Sequence, residues 1–499
     1  MSAEPSFKDI QRRLKPMYQR IFPDPLAERE VVVIPSLTLD PEELGKIDGF
    51  HHYEERMLCT LMLLRLPRAR IIYVSSQAID PTIIDYFLNL LPGVPLSHSR
   101  KRLTLLDCND ASNLPLSSKI LSRPRLLKRI RDAIEDKGNT HMTCFNCTEI
   151  ESRLACELDI PVYACDPDFA CFGSKSGSRE VFEEAGIPVA NGFNNLQSEP
   201  QLLDALVKLK QGDTQLDNAV IKLNEGFSGE GNALLQFPAD LTGQELRGWL
   251  ESNIEAQIQF EAKDETWLSF VAKFRQMHGV VEAFIEGTEC RSPSVQCRID
   301  PLGNTEIIST HEQVLGGPSG QIFLGCRFPA DAAYRLDIQR MATQVADVLK
   351  AKGVIGRFGV DFISVQGADG WKHYALEINL RKGGTSHPFM MLQFLSDGAY
   401  EPVTGLYRSR SGEPRYYFAT DNLQSDAYRG LMPVDLIDIS VYNQLHFHGA
   451  AQEGVMFHMI GALSEFGKVG VLCIGASPER AEELYQQTVR VLDQECAAG

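Results

Sequence analysis

A chain of 499 residues is too long for a single hydrophobic core and implies roughly two to four domains. Its 43% hydrophobic content is that of an ordinary globular protein, and its net charge of −17 argues against a nucleic-acid partner, whose phosphates need clustered Lys and Arg. No apolar run approaches the ~20 residues of a membrane span, and the mixed-charge start MSAEPSFKDIQRRLK does not read as a signal peptide, so no membrane and a cytoplasmic setting are expected. The 12 cysteines are scattered, which fits reduced thiols. Cys144 and Cys147 form one CxxC but lack the second tight pair that a zinc site usually has.

Residues 1–30 read as a polar helix and a Pro-rich lead-in. Val31–Leu37 reads as a buried strand, Glu55–Leu66 as a helix and Arg70–Ser76 as the next strand. This rhythm predicts an open, mostly parallel sheet. Ser122–Asp136 reads as a helix capped by Ser122, with its Lys and Arg on a solvated face. TCFNC (143–147) and IPVYACD (160–166) close a first region, in which no glycine fingerprint for a dinucleotide appears.

Within Gly173–Ala190, Ser176 or Ser178 is expected to cap a helix that Gly186 and Pro188 end, so Lys175 stands at a helix entrance. Ala219–Phe237 reads as a strand, a glycine loop and a strand, with Lys222 ending the first. Gly226, Gly229 and Gly231 let backbone amides approach phosphates, and Ser228 adds a donor; a long hairpin turn is the plain alternative. No GKS/T follows, so this is no P-loop. In Gly279–Gly303 an apolar run including Ala283 and Phe284 is fit to wall an adenine, and Glu282 and Glu289 stand seven apart. Ser294, Gln296 and Arg298 share a strand face; Arg291 and Arg298 suit a phosphate or a carboxylate, with surface salt bridging as the alternative. His311–Pro329 is expected to line the acceptor side, with His311 and Glu312 either moving a proton or serving structure. Asp331–Gly353 is an amphipathic helix.

The clearest pattern is residues 355–390. In RFGVDFI, Arg357, Gly359 and Asp361 share a face. In YALEINLR, Tyr374, Leu376, Ile378 and Leu380 point one way and Glu377, Asn379 and Arg381 the other. The turn at Gly367, Asp369 and Gly370 predicts an antiparallel hairpin that brings Asp361, Glu377 and Asn379 together. Two carboxylates and an amide are hard oxygen ligands suited to magnesium carrying phosphates, and Arg381 adds a matched charge. A helix to about Tyr400 follows. Residues 415–499 look like a small module, with a strand at Lys468–Gly475 and a helix started by Ser477 and Pro478. His446, His448 and His458 leave two readings open, a metal site and a flap closing over substrate.

GVDF followed by E-x-N-x-R resembles the metal-binding end of the ATP-grasp superfamily, shared by D-alanine–D-alanine ligases and many carboxylate–amine ligases. The resemblance implies that Asp361, Glu377 and Asn379 hold one or two Mg2+ ions. It implies Lys175, Lys222, Gly226, Ser228, Gly229 and Gly231 for the phosphates of ATP. Glu282 would lie by the adenine amine and Glu289 on the ribose hydroxyls, with Ala283, Phe284 and Leu376 around the nucleoside. Arg298, Arg357 and Arg381 are its catalytic candidates for the oxyanion. Related ligases carry an Arg two residues before the metal Asp, where this chain has Gly359, so Arg357 is displaced. The overall layout, GCRFP and EINLRKGGTSHPF resemble the pheganomycin-type peptide ligases. The implied fold class is α/β and α+β: a pre-ATP-grasp α/β domain at 1–170, an ATP-grasp fold with subdomains at 171–280 and 281–410, and a C-terminal α/β module at 411–499. The implied reaction joins a small-molecule carboxylate to an amine (an amino acid or peptide) through an acyl phosphate, releasing ADP and phosphate. An ATP-grasp kinase and a non-catalytic nucleotide-binding scaffold are the alternatives, and a homodimer is common among such ligases.

Overall fold

The computed structural model describes residues 6–39, 41–225, 231–262, 264–316 and 322–498. The N-terminal region builds a parallel sheet from β1 (Arg29–Ile34), β2 (Ala69–Ser75), β3 (Leu103–Asp107) and β4 (Thr140–Cys144), in the order β3-β2-β1-β4. β1 is buried along its whole length and β2 along nearly all of it, which is why REVVVI and ARIIYVS do not alternate. The helix expected at Glu55–Leu66 is a 3-10 helix over Phe50–Arg65, with Met57, Leu58, Leu61 and Leu64 in the core. The basic helix runs Pro124–Ala133, and Ser122 does not cap it. The Ser122 hydroxyl instead donates to the Lys119 carbonyl at the end of the preceding helix.

An antiparallel sheet follows: β5 (Gly192–Leu196), β6 (Asn218–Leu223), β7 (Asn232–Gln236), β8 (Gln259–Phe260) and β9 (Gly279–Ala283), in the order β5-β9-β6-β7-β8. Helices Glu199–Gly212, Gly243–Gln257 and Trp267–Met277 pack on it through Leu206, Leu250, Phe270 and Phe274.

The largest sheet begins with β10 (Cys290–Arg291), β11 (Pro293–Ile299), β12 (Thr305–Gly316), β13 (Ile322–Phe328), β14 (Gly356–Gly367) and β15 (Gly370–Asn379). It continues through β16 (Ala399–Glu401), β17 (Leu406–Arg408), β18 (Pro414–Gln424), β19 (Gly454–His458) and β20 (Lys468–Gly475). The C-terminal module joins this sheet: β18 pairs with β13, Cys326 opposite Ala419, and β20 lies between β18 and β19. The segment weighed as a flap contains β19, whose five residues are all buried in that sheet. Its apolar residues face a core rather than a cleft. The His311–Pro329 stretch is mostly the paired strands β12 and β13.

One core joins the ends of the chain. Tyr73 and Phe87 from the N-terminal region share it with Phe389 and Phe394 of helix Ser386–Ser396 and with Tyr417 and Phe457. Phe389 is 1% exposed and has the rings of Phe328 and Tyr407 at 5.3 and 5.7 Å. Phe389→Ala is expected to cost about 3–5 kcal/mol. A thermal scan followed by circular dichroism should show a clearly lower midpoint; an unchanged midpoint would contradict this packing.

Candidate active site

The hairpin β14–β15 forms as its alternation predicts, with Asp361 directly opposite Glu377 and Gly359 opposite Asn379. The register then slips: Phe362 pairs with Ala375, so Leu376 is an extra residue in β15. The strict alternation expected for Leu376 fails for this reason. Ala375 and Ile378 are the buried pair, and Leu376 is only partly covered. The Asn379 amide nitrogen donates to Asp361 Oδ2 at 2.9 Å and to Glu377 Oε1 at 3.3 Å. Carboxylates only accept, which explains why the amide turns its nitrogen toward them. Lys175 closes the cluster with an ion pair to Glu377. Burial pushes the Asp361 carboxyl up to about 6, against the pull of Lys175 and Arg381.

Lys175 is the first residue of helix Lys175–Glu184. Ser174, not Ser176 or Ser178, caps that helix by accepting from the Gly177 N–H at 3.0 Å. Ser176 bonds Asn224 instead, and Ser178 accepts from the Ile378 N–H at 3.0 Å, tying the helix to β15. A Cβ at Gly177 would lie 2.0 Å from the Cys171 carbonyl oxygen, so the helix approaches its lead-in closely there. Burial, and then the charge of Lys222, bring Lys175 down to about 7, while Asp361 and Glu282 oppose them. Lys175 thus feels both the hairpin and the smaller sheet.

On that smaller sheet Lys222 of β6 and Glu282 of β9 occupy adjacent strands. Lys222 Nζ lies 2.6 Å from Glu282 Oε2, and Arg179 Nη1 lies 2.6 Å from Glu282 Oε1. Glu282 is only 4% exposed. Burial pushes its carboxyl up, but Lys222 and Arg179 hold it below the usual range. Each of its two oxygens thus meets a cation. Arg179 was not foreseen: a mid-helix Arg carries no sequence signal for this contact. Ala283 is partly buried and Phe284 is exposed beside it, with the Phe284 N–H donated to Asn218. Glu289 lies near the surface and accepts from Arg291 Nε at 2.8 Å. The Gly231 carbonyl accepts from Leu223 N–H at 2.9 Å. Gly226, Ser228 and Gly229 lie outside the described residues.

The three candidate arginines separate. Arg381 is partly buried and senses Asp361; its Nη1 donates to the Lys382 carbonyl at 3.1 Å. Arg298 and Arg357 face each other across β11 and β14, whereas Asp361 lies opposite Ser294. Four residues of strand, roughly 13 Å, set them back from the carboxylates. Arg298 pairs with Glu306, and burial together with Arg298 brings Arg357 down to about 10. Lys382, also unforeseen, donates to Thr143 Oγ1 at 3.2 Å and so fastens the end of the hairpin to β4. His311 is fully buried with Nε2 2.6 Å from the Tyr417 hydroxyl, and burial lowers it to about 3. That leaves it the structural role. Glu312 accepts from the Tyr334 hydroxyl at 2.6 Å. Among the described residues no cysteine is in a disulfide, and no helix is long and apolar enough to cross a membrane.

The donor set of two carboxylates and an amide oxygen, reached by turning Asn379, fits a hard dication such as Mg2+. The lysines beside it fit a polyphosphate.

Comparison with known proteins identifies the fold and the family. The model described as IQCH-like, ATP-grasp matches residues 169–242 and 239–401, and that of the PGM1 C-terminal domain matches 435–488. The L-propargylglycine–L-glutamate ligase of Streptantibioticus cattleyicolor is 31% identical over 88% of this chain and 89% of its own. IQ motif-containing protein H of Danio rerio is 22% identical over 74% of this chain, which spans 39% of that protein. Two solved structures share the fold. One is the biotin carboxylase domain of the Hydrogenobacter thermophilus 2-oxoglutarate carboxylase (TM-score 0.54, 13% identity, 92% of this chain and 89% of that one). The other is an N5-carboxyaminoimidazole ribonucleotide synthetase in complex with ADP (TM-score 0.50, 14% identity, 94% and 98%). With an acidic hairpin closed by Lys175 and a ligase relative matched over 88% of the chain, this protein belongs to the ATP-grasp family of ATP-dependent ligases.

Proposed function

We propose that the protein uses ATP and Mg2+ to join the carboxylate of one amino acid or peptide to the amine of another. The observation that carries this reading is the Asp361–Glu377 cross-strand pair closed by Lys175, a residue that also senses the Lys222–Glu282 cluster. Two anionic side chains beside a line of lysines suit a triphosphate and its counter-ions, and little else. The substrate class follows the relative whose name specifies L-propargylglycine and L-glutamate.

Asp361, Glu377 and Asn379 would hold the magnesium, which supplies charge neutralisation and Lewis acidity to the triphosphate when bound. Lys175 exchanges its contact with Glu377 for a phosphate oxygen, and Lys222, aimed by Glu282 and Arg179, takes another. Ala283, Phe284, Glu289 and Leu376 are assigned to the nucleoside, and Gly226, Ser228, Gly229 and Gly231 to the phosphates. The acid's carboxylate oxygen attacks the γ-phosphorus, ADP leaves and an acyl phosphate forms. Arg381, whose charge is felt at Asp361, would hold its oxygens. The amine nitrogen then attacks the acyl carbon, the amide bond forms and inorganic phosphate leaves. Arg298 and Arg357, set back along the strands and with Arg298 paired to Glu306, are left out of this step. A cytoplasmic setting and a homodimer, the state stated for the Hydrogenobacter domain, complete the proposal.

Incubation with ATP, Mg2+ and an amino-acid and peptide panel should yield ADP, phosphate and a ligated product by mass spectrometry. AMP with pyrophosphate, or a stable phosphorylated product, would overturn the assignment. Asp361→Asn and Glu377→Gln should each lower ADP release about a hundredfold or more without changing the circular dichroism spectrum. Arg179→Ala breaks a buried pair, at a cost of about 3–5 kcal/mol. It should also weaken ADP binding in calorimetry, whereas unaltered binding would remove Lys222 and Glu282 from the nucleotide site.

A further inference from the structure

A second cluster lies outside the magnesium hairpin. We propose that His387, Asp421 and His458 form a binding site for one transition-metal dication of the zinc class, linking the C-terminal strands to the ATP-grasp fold. The three come from different elements: His387 from helix Ser386–Ser396, Asp421 from β18 and His458 from the end of β19. Both imidazoles aim Nε2 at a single oxygen, with Asp421 Oδ1 2.6 Å from His458 Nε2 and 3.2 Å from His387 Nε2. The two Nε2 atoms are 3.0 Å apart, so three ligand atoms converge on one point. All three residues are buried, at 5%, 7% and 2% exposure.

Independent features build this convergence. The ladder of β18 with β20 is irregular between Thr420 and Leu423, so Asp421 is left out of the pairing and turned toward the histidines. The other Asp421 oxygen accepts from Arg56 Nη1 at 3.1 Å, the outer bond that orients a ligating carboxylate. Gly470 on β20 leaves the space that the His458 ring fills; a Cβ there would lie 2.1 Å from Nε2. Among the described residues His387 Nδ1 has no hydrogen-bond partner, so the ring's hydrogen bonding there runs through Nε2. Two imidazoles and one carboxylate select zinc or iron over magnesium, whose oxygen-ligand site is the separate hairpin. Of the histidines weighed from sequence, His458 belongs to this cluster and His446 and His448 do not. The proposal stands independently of the ligase reading.

The test uses the full chain without a histidine tag, stripped by chelator and titrated with Zn2+ in calorimetry. One Zn2+ per chain is expected, undisturbed by excess Mg2+. Affinity should fall a hundredfold or more in His458→Gln and Asp421→Asn and stay unchanged in His446→Gln and Cys147→Ser. Should the cluster variants fail to fold, the wild-type chain loaded with Co2+ decides. Visible d–d bands without a thiolate charge-transfer band support the site. A thiolate band, no tight Zn2+ binding, or binding lost in Cys147→Ser and kept in His458→Gln would overturn it.

Discussion

Two carboxylates set directly opposite each other on neighbouring strands repel, and partial burial increases the cost. At Asp361 and Glu377 this arrangement persists because Lys175 and the Asn379 amide meet it. The strand register forces the pair together, and the cation that answers it comes from a helix that packs Val181 and Phe182 into the hairpin's own core and reaches the smaller sheet through Arg179. The functional site is thus an electrostatic joint between two sheets. In the proposed reaction Lys175 passes from the carboxylate to a phosphate oxygen, and a divalent cation takes its place beside the carboxylates.

The hairpin was legible because a period of two and a Gly/Asp turn are properties of a few adjacent residues. So were the helix of Lys175, the Lys222 strand and the final strand and helix. The extra residue at Leu376 was not, because alternation alone does not reveal where a partner strand slips. Ser174 was passed over for serines inside the helix, since three serines in GSKSGS offer similar local signals and only the close approach of Gly177 to Cys171 decides among them. Arg179 and Lys382 act on residues far away in sequence, Glu282 and Thr143, which no local pattern encodes.

The C-terminal module is joined to the rest of the chain through its strands, which extend the sheet that carries the hairpin and share a core with Tyr73 and Phe87 of the N-terminal region. Residues on either side of the ATP-grasp fold thereby support one another, and the His387–Asp421–His458 cluster with Arg56 lies at that junction.

The central claim is that the hairpin carboxylates hold divalent cations against a triphosphate. Electron paramagnetic resonance of Mn2+, in the presence of a non-hydrolysable ATP analogue, reads this directly. The account predicts one or two Mn2+ bound per chain with the analogue, and loss of that binding in the Glu377→Gln chain. Equal Mn2+ stoichiometry and affinity in both chains would contradict it.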